Sequence, residues 1–184
     1  MVRAFPKVLA FVLPLMASGS VVLAANPMVG GAPMYDTKTI VANAVNSADH
    51  TTLVAAVKAA GLVDTLQGTG PFTVFAPNNR AFEALPAGTV DTLLKPENHD
   101  ALVGVLTYHV VPGALTSSDI KKGIEAGGGS YSVKTVEGET LTLRQDNGQI
   151  FVSDMTGHTA AVTIADVMQS NGVIHGIDAV LMPM

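Results

Sequence analysis

GTGPFTVFAPN, from Gly68 to Asn78, is where the chain changes character. Gly68-Thr69-Gly70-Pro71 is a turn cluster, and Phe72-Thr73-Val74-Phe75-Ala76 is a short strand of β-branched and aromatic residues. Pro77 stops the strand, and Asn78 is a strong N-cap for a helix running to Leu85. Phe72, Val74 and Phe75 supply bulk to bury, while Pro77 and Asn78 fix the exit into the helix. Before this stretch the periodicity is helical. Ile40, Val41, Ala44 and Val45 recur at three- and four-residue spacing behind Asp36 and Thr37 as caps. Leu53, Val54, Ala56, Val57 and Ala60 repeat the pattern before Gly61, and Leu62 to Leu66 make a further turn.

After it come helical stretches at Thr89 to Leu94 and Asp100 to Tyr108, and then five β segments. These are Tyr131 to Val136, Thr140 to Arg144, Gln149 to Ser153, Thr159 to Ala165 and Val173 to Met182. Their turns include Asn147-Gly148 and Asn171-Gly172, the strongest tight-turn pairs in the chain. Gly127-Gly128-Gly129 reads as a surface loop, because it lacks the spacing and context of a phosphate-binding fingerprint. Helices first and mainly antiparallel strands later make the fold class α+β: packed sheets with several helices along one side.

The chain has 184 residues, 48% of them hydrophobic and 14% charged. That is room for one domain with a real core, and too apolar for disorder. Ten Lys and Arg against fifteen Asp and Glu give a net charge of −5, with no basic run. A phosphate-neutralising surface needs clustered cations, so nucleic acid is not an expected partner. Cysteine is absent, which removes disulfides, thiolate nucleophiles and cysteine metal sites.

Residues 1–24 read as a secretory signal peptide. Arg3 and Lys7 form its positive region, Val8 to Leu13 begin its apolar region, and Val22-Leu23-Ala24 satisfies the small-residue cleavage rule. Pro14, Ser18, Gly19 and Ser20 interrupt the run, whereas a spanning helix wants about 20 apolar residues. The expected product is secreted or periplasmic, without stable membrane insertion. Residues 25–36, rich in Gly and Pro, are expected to be a flexible lead, and 37–184 the folded domain.

Catalytic patterns are sparse. The histidines (His50, His99, His109, His158 and His175) include no pair at i,i+4 and no His-Glu-x-x-His helix, and no Gly-x-Ser-x-Gly elbow occurs. No enzyme activity, metal or cofactor is expected. His109 ends an apolar helix, and His175 shares a strand face with Val173, Ile177, Ala179 and Leu181. Both are expected to be core histidines with bonded ring nitrogens.

Three ordered blocks resemble the fasciclin domain family: TVFAPNNRAF (Thr73 to Phe82), Tyr108-His109 between Leu106 and Val110, and NGVIHGIDAVLMP (Asn171 to Pro183). The resemblance is closest to the short secreted single-domain bacterial members. Gly176 departs from it, standing where the family usually has a larger apolar residue. The resemblance implies a wedge of packed β-sheets with helices along one side, in which Phe72, Phe75, Pro77, Asn78 and His175 specify the fold. It implies a non-enzymatic adhesion module for cell–cell, cell–matrix or host–symbiont contact, recognising a cell-surface or matrix protein or glycan, as a monomer or weak oligomer. By the same resemblance, Tyr108, His109, Asp166, Val167 and Met168 are the partner-binding candidates, although Ile164-Ala165 stands where the animal segment has Glu-Pro. On that reading Asp166→Ala leaves folding intact, whereas Phe75→Ala and His175→Ala destabilise. The alternative from another class is a periplasmic carrier of a small apolar or lipid ligand, for which the expected feature is a cavity between helices and sheet.

Overall fold

The computed structural model describes residues 26–184; the signal-peptide assignment to residues 1–24 lies outside them. In chain order the elements are β1 (Met28–Val29), β2 (Ala32–Pro33), α1 (Ile40–Ala44), α2 (Thr51–Ala59), α3 (Val63–Gln67), β3 (Phe72–Pro77), α4 (Asn79–Glu83), α5 (Thr89–Leu93) and α6 (His99–Tyr108). There follow β4 (Val110–Pro112), α7 (Ser117–Ala126), β5 (Ser130–Lys134), β6 (Thr140–Asp146), β7 (Gln149–Ser153), β8 (Thr159–Gln169) and β9 (Gly172–Ile177).

Seven strands form one sheet in the order β4-β3-β9-β8-β7-β6-β5, all antiparallel except the β3–β9 pair. That pair joins the two apolar segments recognised in the sequence, with Phe75 opposite His175. Both strands are buried on both faces, as parallel pairs usually are. The faces serve different cores. Val74, Ala76 and Ile174 meet α1, α2, α3, α4 and α6 in one cluster; Phe75 and Ile177 meet β5 to β8 and α7 in a second. Most helices therefore lie on one side of β3–β9, and α7 packs against β5 and β6 on the other.

The long strand β8 passes from one half of the sheet to the other. Its register slips between Val162 and Ile164 and again between Ile164 and Val167, and within the second slip Asp166 takes φ +58°. Bulges bend a strand and re-aim its side chains, so the strand continues to Gln169 instead of ending at Ala165. Strand β9 stops at Ile177, short of the predicted Met182. There Asp178 takes over the strand partner's role, donating its N–H to the Ala161 carbonyl and accepting the Ala161 N–H at 2.7 Å.

Within residues 26–36, expected from the sequence to be a flexible lead, lies a short hairpin. Strands β1 and β2 pair around Gly30 and Gly31, whose φ values of +57° and +77° are those a two-residue hairpin turn requires. The segment is anchored because Val29 and Met34 enter the helical core. Burying two such side chains contributes about 1.5–3 kcal/mol each towards the cost of ordering the segment. Helix α1 begins later than the sequence suggested, with the Thr39 hydroxyl as N-cap on the Ala42 N–H.

Candidate functional site

Tyr108 and His109 close helix α6 and face inward; their relative exposures are 0% and 2%. The Tyr108 hydroxyl donates to the Thr140 carbonyl at 3.2 Å and accepts from the Met155 N–H at 3.4 Å. His109 Nδ1 donates to the Val105 carbonyl at 2.8 Å, and Nε2 accepts the Leu181 N–H at 3.0 Å. Those partners fix the tautomer, since a carbonyl only accepts and an N–H only donates. Burial lowers the His109 pKa to about 4, against the opposing pull of the Val105 carbonyl and Asp154. The two rings thus tie α6 to β6 and to the chain's last turn.

His175 holds the neighbouring junction with the opposite tautomer. Its Nε2 donates to the Leu115 carbonyl at 2.8 Å, and its Nδ1 accepts the Asp166 N–H at 3.3 Å. The ring stacks on Phe75 with centroids 5.7 Å apart, and burial lowers its pKa as well. Both rings of the pair are buried. At the start of the neighbouring helix, Asn78 Oδ1 accepts the Ala81 N–H at 2.9 Å, with Pro77 buried before it and Phe72 half-buried at the far end of β3.

The remaining candidates lie on the bent part of β8 and diverge. Val167 points into the helical core, whereas Met168 is 44% exposed. Asp166 is exposed, but its carboxylate accepts the Ser117 N–H at 2.6 Å and also the Ser117 hydroxyl. It therefore sits at the N-terminus of α7, where an anion meets both free N–H groups and the positive end of the helix dipole. Through this contact Asp166→Ala, expected from the sequence to leave folding intact, should lose a helix cap. The substitution should cost about 1 kcal/mol, the usual value of a cap, and Asp166→Asn should cost less because an amide oxygen still accepts. Chemical denaturation of the three proteins checks this; an unchanged midpoint for the alanine variant would refute the capping role.

Two buried polar residues were not legible as more than turn residues. Asn171 Oδ1 accepts the Ile40 N–H, while its Nδ2 donates to the Leu66 and Gly68 carbonyls at 2.7 and 2.9 Å, so one amide ties α1, α3 and the β8–β9 turn. A Cβ on the adjacent Gly172 would collide with the Phe72 carbonyl, which explains glycine at that close approach. Asp154 accepts from the N–H groups of Thr156, His158 and Met182. Burial works to raise its pKa, but bonds from Thr156, Met182 and His158 outweigh it and hold it below the usual value.

At this junction the histidine rings hold backbone segments together. Both nitrogens of His109 and both of His175 are committed to backbone groups. Among the described residues no three His, Cys, Asp or Glu side chains gather as a metal would require, and no helix is long and apolar enough to cross a membrane.

A fasciclin domain family model matches residues 48–183. The chain is 51% identical over 145 residues to the protein sll1483 of Synechocystis sp., the match covering 79% of this chain and 73% of that one. It is 39% identical over 131 residues to the transforming growth factor-beta-induced protein ig-h3 of Sus scrofa, covering 71% of this chain and 17% of that much longer one. It is 34% identical to the immunogenic protein MPB70 of Mycobacterium bovis, covering 76% and 66%. Among solved structures, a FAS1 domain pair from the insect cell adhesion molecule Fasciclin I superposes with a TM-score of 0.69 at 19% identity, covering 79% of this chain and 51% of that one.

Proposed function

The chain belongs to the fasciclin domain family, and from that premise we propose that it is an exported, non-enzymatic adhesion module that binds a cell-surface or matrix protein or glycan. The observation carrying this reading is the family match across residues 48–183, nearly the whole described domain. The geometry supports it, because the motif rings are committed to holding the fold and offer no reacting group.

Contact with a partner falls to the exterior of the same region. Met168 carries it: a large exposed apolar side chain on the bend of β8. Asp166 and Val167 fix that bend, and Tyr108 and His109 act on the surface from beneath. The chain's acidic balance does not attract an acidic cell surface, so affinity rests on apolar and hydrogen-bonding contact and on several copies acting together.

Cells lacking the protein should attach less to their natural surface, and purified protein should restore attachment. Met168→Asp should weaken binding of purified protein to intact cells by about tenfold or more, the loss typical of a central interface anchor, with an unchanged thermal midpoint. Undiminished binding by that variant removes β8 as the contact, and unchanged attachment of the deletion strain removes the adhesive reading.

A further inference from the structure

Two Asn-Gly pairs occur in the chain, Asn147-Gly148 and Asn171-Gly172, and the fold treats them in opposite ways. Asn171 is buried, and its amide is fastened at both atoms: Oδ1 accepts the Ile40 N–H at 3.0 Å, and Nδ2 donates to the Leu66 and Gly68 carbonyls. Its main-chain carbonyl accepts the Phe72 N–H at 3.0 Å, and Gly172 lies pressed against the Phe72 backbone. Asn147 and Gly148 instead form the exposed tip between β6 and β7, closed by Asp146 opposite Gln149. Their φ values of +48° and +86° are those of the hairpin turn that favours Asn-Gly. Among the described residues neither the Asn147 amide nor the Gly148 N–H has a hydrogen-bond partner. A Cβ on Gly148 would meet nothing within 4 Å, so the tip stands in open space.

The backbone nitrogen after an asparagine can attack the side-chain amide when the two swing together, and glycine hinders that approach least because it carries no side chain. We propose that Asn147 is a site of spontaneous deamidation and isoaspartate formation, from which the fold shields Asn171. Gly148 N bonds to Asn147 Cγ and gives its proton to solvent, while the Cγ–Nδ2 bond breaks and Nδ2 leaves as ammonia. Water then opens the resulting succinimide. Cleavage of the ring bond to Cγ leaves an aspartate. Cleavage of the ring bond to the main-chain carbonyl carbon leaves an isoaspartate, whose chain runs on through Cγ. Overall one water is consumed and one ammonia released, with no oxidant or reductant.

At the β6–β7 tip the attack requires only a local opening of an exposed turn, whereas at Asn171 three side-chain hydrogen bonds must break first. Either product adds a negative charge beside Asp146. The aspartate still suits the turn, since Asp-Gly is itself a hairpin pair. The isoaspartate does not: it puts an extra methylene into the loop that sets Asp146 against Gln149, and loop length fixes register. The disturbance stays at the tip, because Leu143, Ile150 and Val152 are buried behind it and hold the two strands. No residue of the β8 bend takes part, so the modification stands apart from the adhesive reading.

Purified protein is aged in mildly alkaline buffer and digested, and the asparaginyl, aspartyl and isoaspartyl peptides are resolved by chromatography and mass spectrometry. Native protein should accumulate both products at Asn147, while Asn171 converts about a hundredfold more slowly, the worth of its three hydrogen bonds. In denaturant the two pairs should convert at like rates, which shows that the fold and not the local sequence makes the difference. Native conversion of Asn147 no faster than that of Asn171, or conversion without the isoaspartyl form, would overturn the site. Hydrogen exchange reads the effect on the turn. The Gln149 amide should exchange faster in the aged protein but stay protected in Asn147→Asp, which carries the charge without the methylene; equal exchange in the two would overturn that effect.

Discussion

Phe75→Ala lowers the stability of the domain by about 3–5 kcal/mol, the cost of deleting a fully buried ring. Phe75 lies on β3 between β4 and β9, reaches the core formed by β5 to β8 and α7, and stacks on His175. Its loss leaves a cavity beneath a ring that itself holds the Leu115 carbonyl and the Asp166 N–H. For a domain of this size the thermal midpoint should fall on the order of 10 °C. Phe75→Leu, which keeps most of the volume, should recover the larger part. Equal midpoints for wild type and Phe75→Ala would show that β3 is not the packing centre.

Acidification is the second large effect. His109 folds neutral with its pKa lowered from 6.5 to about 4, because burial penalises the charged ring. A protonated ring would have no lone pair for the Leu181 N–H. Between pH 6.5 and about 4 the unfolded chain takes up a proton that the folded domain refuses, so stability rises with pH across that window and is lost as pH falls through it. At 1.36 kcal/mol per pKa unit, His109 alone contributes roughly 3 kcal/mol of that loss. His50 and His175, lowered by burial, act with the same sign. Denaturation midpoints should fall steeply from pH 7 to pH 4.5, and His109→Gln should flatten the slope while lowering the neutral-pH value. Equal slopes in the two proteins would remove His109 as the cause.

Strands β3 and β9 were legible because their signal is local: Phe72 to Ala76 and Val173 to Ile177 are apolar runs bounded by turn residues. His109 and His175 were legible as interior groups from their apolar flanks, whereas Tyr108, read by resemblance as a partner-binding candidate, was not. Helix α7 was not. Ser117, Ser118, Lys121, Lys122 and Gly123 resemble a solvated connection, and the informative features were the Thr116–Asp119 capping box and the Ile120–Ile124 pair on one face. Gly123, a poor helix residue, is there because a Cβ would strike the Tyr131 ring packed across the helix. The β1–β2 segment was missed for a related reason. Its glycines signal a turn, but only tertiary packing of Val29 and Met34 makes that turn part of the domain. Asp166 was hidden altogether, since Ser117 lies far away in sequence and nothing local announces a cap supplied from another strand.

The tyrosine–histidine and final-strand segments are interior fastenings. The nitrogen resonances of the histidine rings test this most directly. His109 should appear as the neutral Nδ1–H tautomer and His175 as the neutral Nε2–H tautomer at pH 7, with His109 staying neutral down to about pH 4. Rings that titrate near 6.5 and average between tautomers would place both histidines in water and contradict the account.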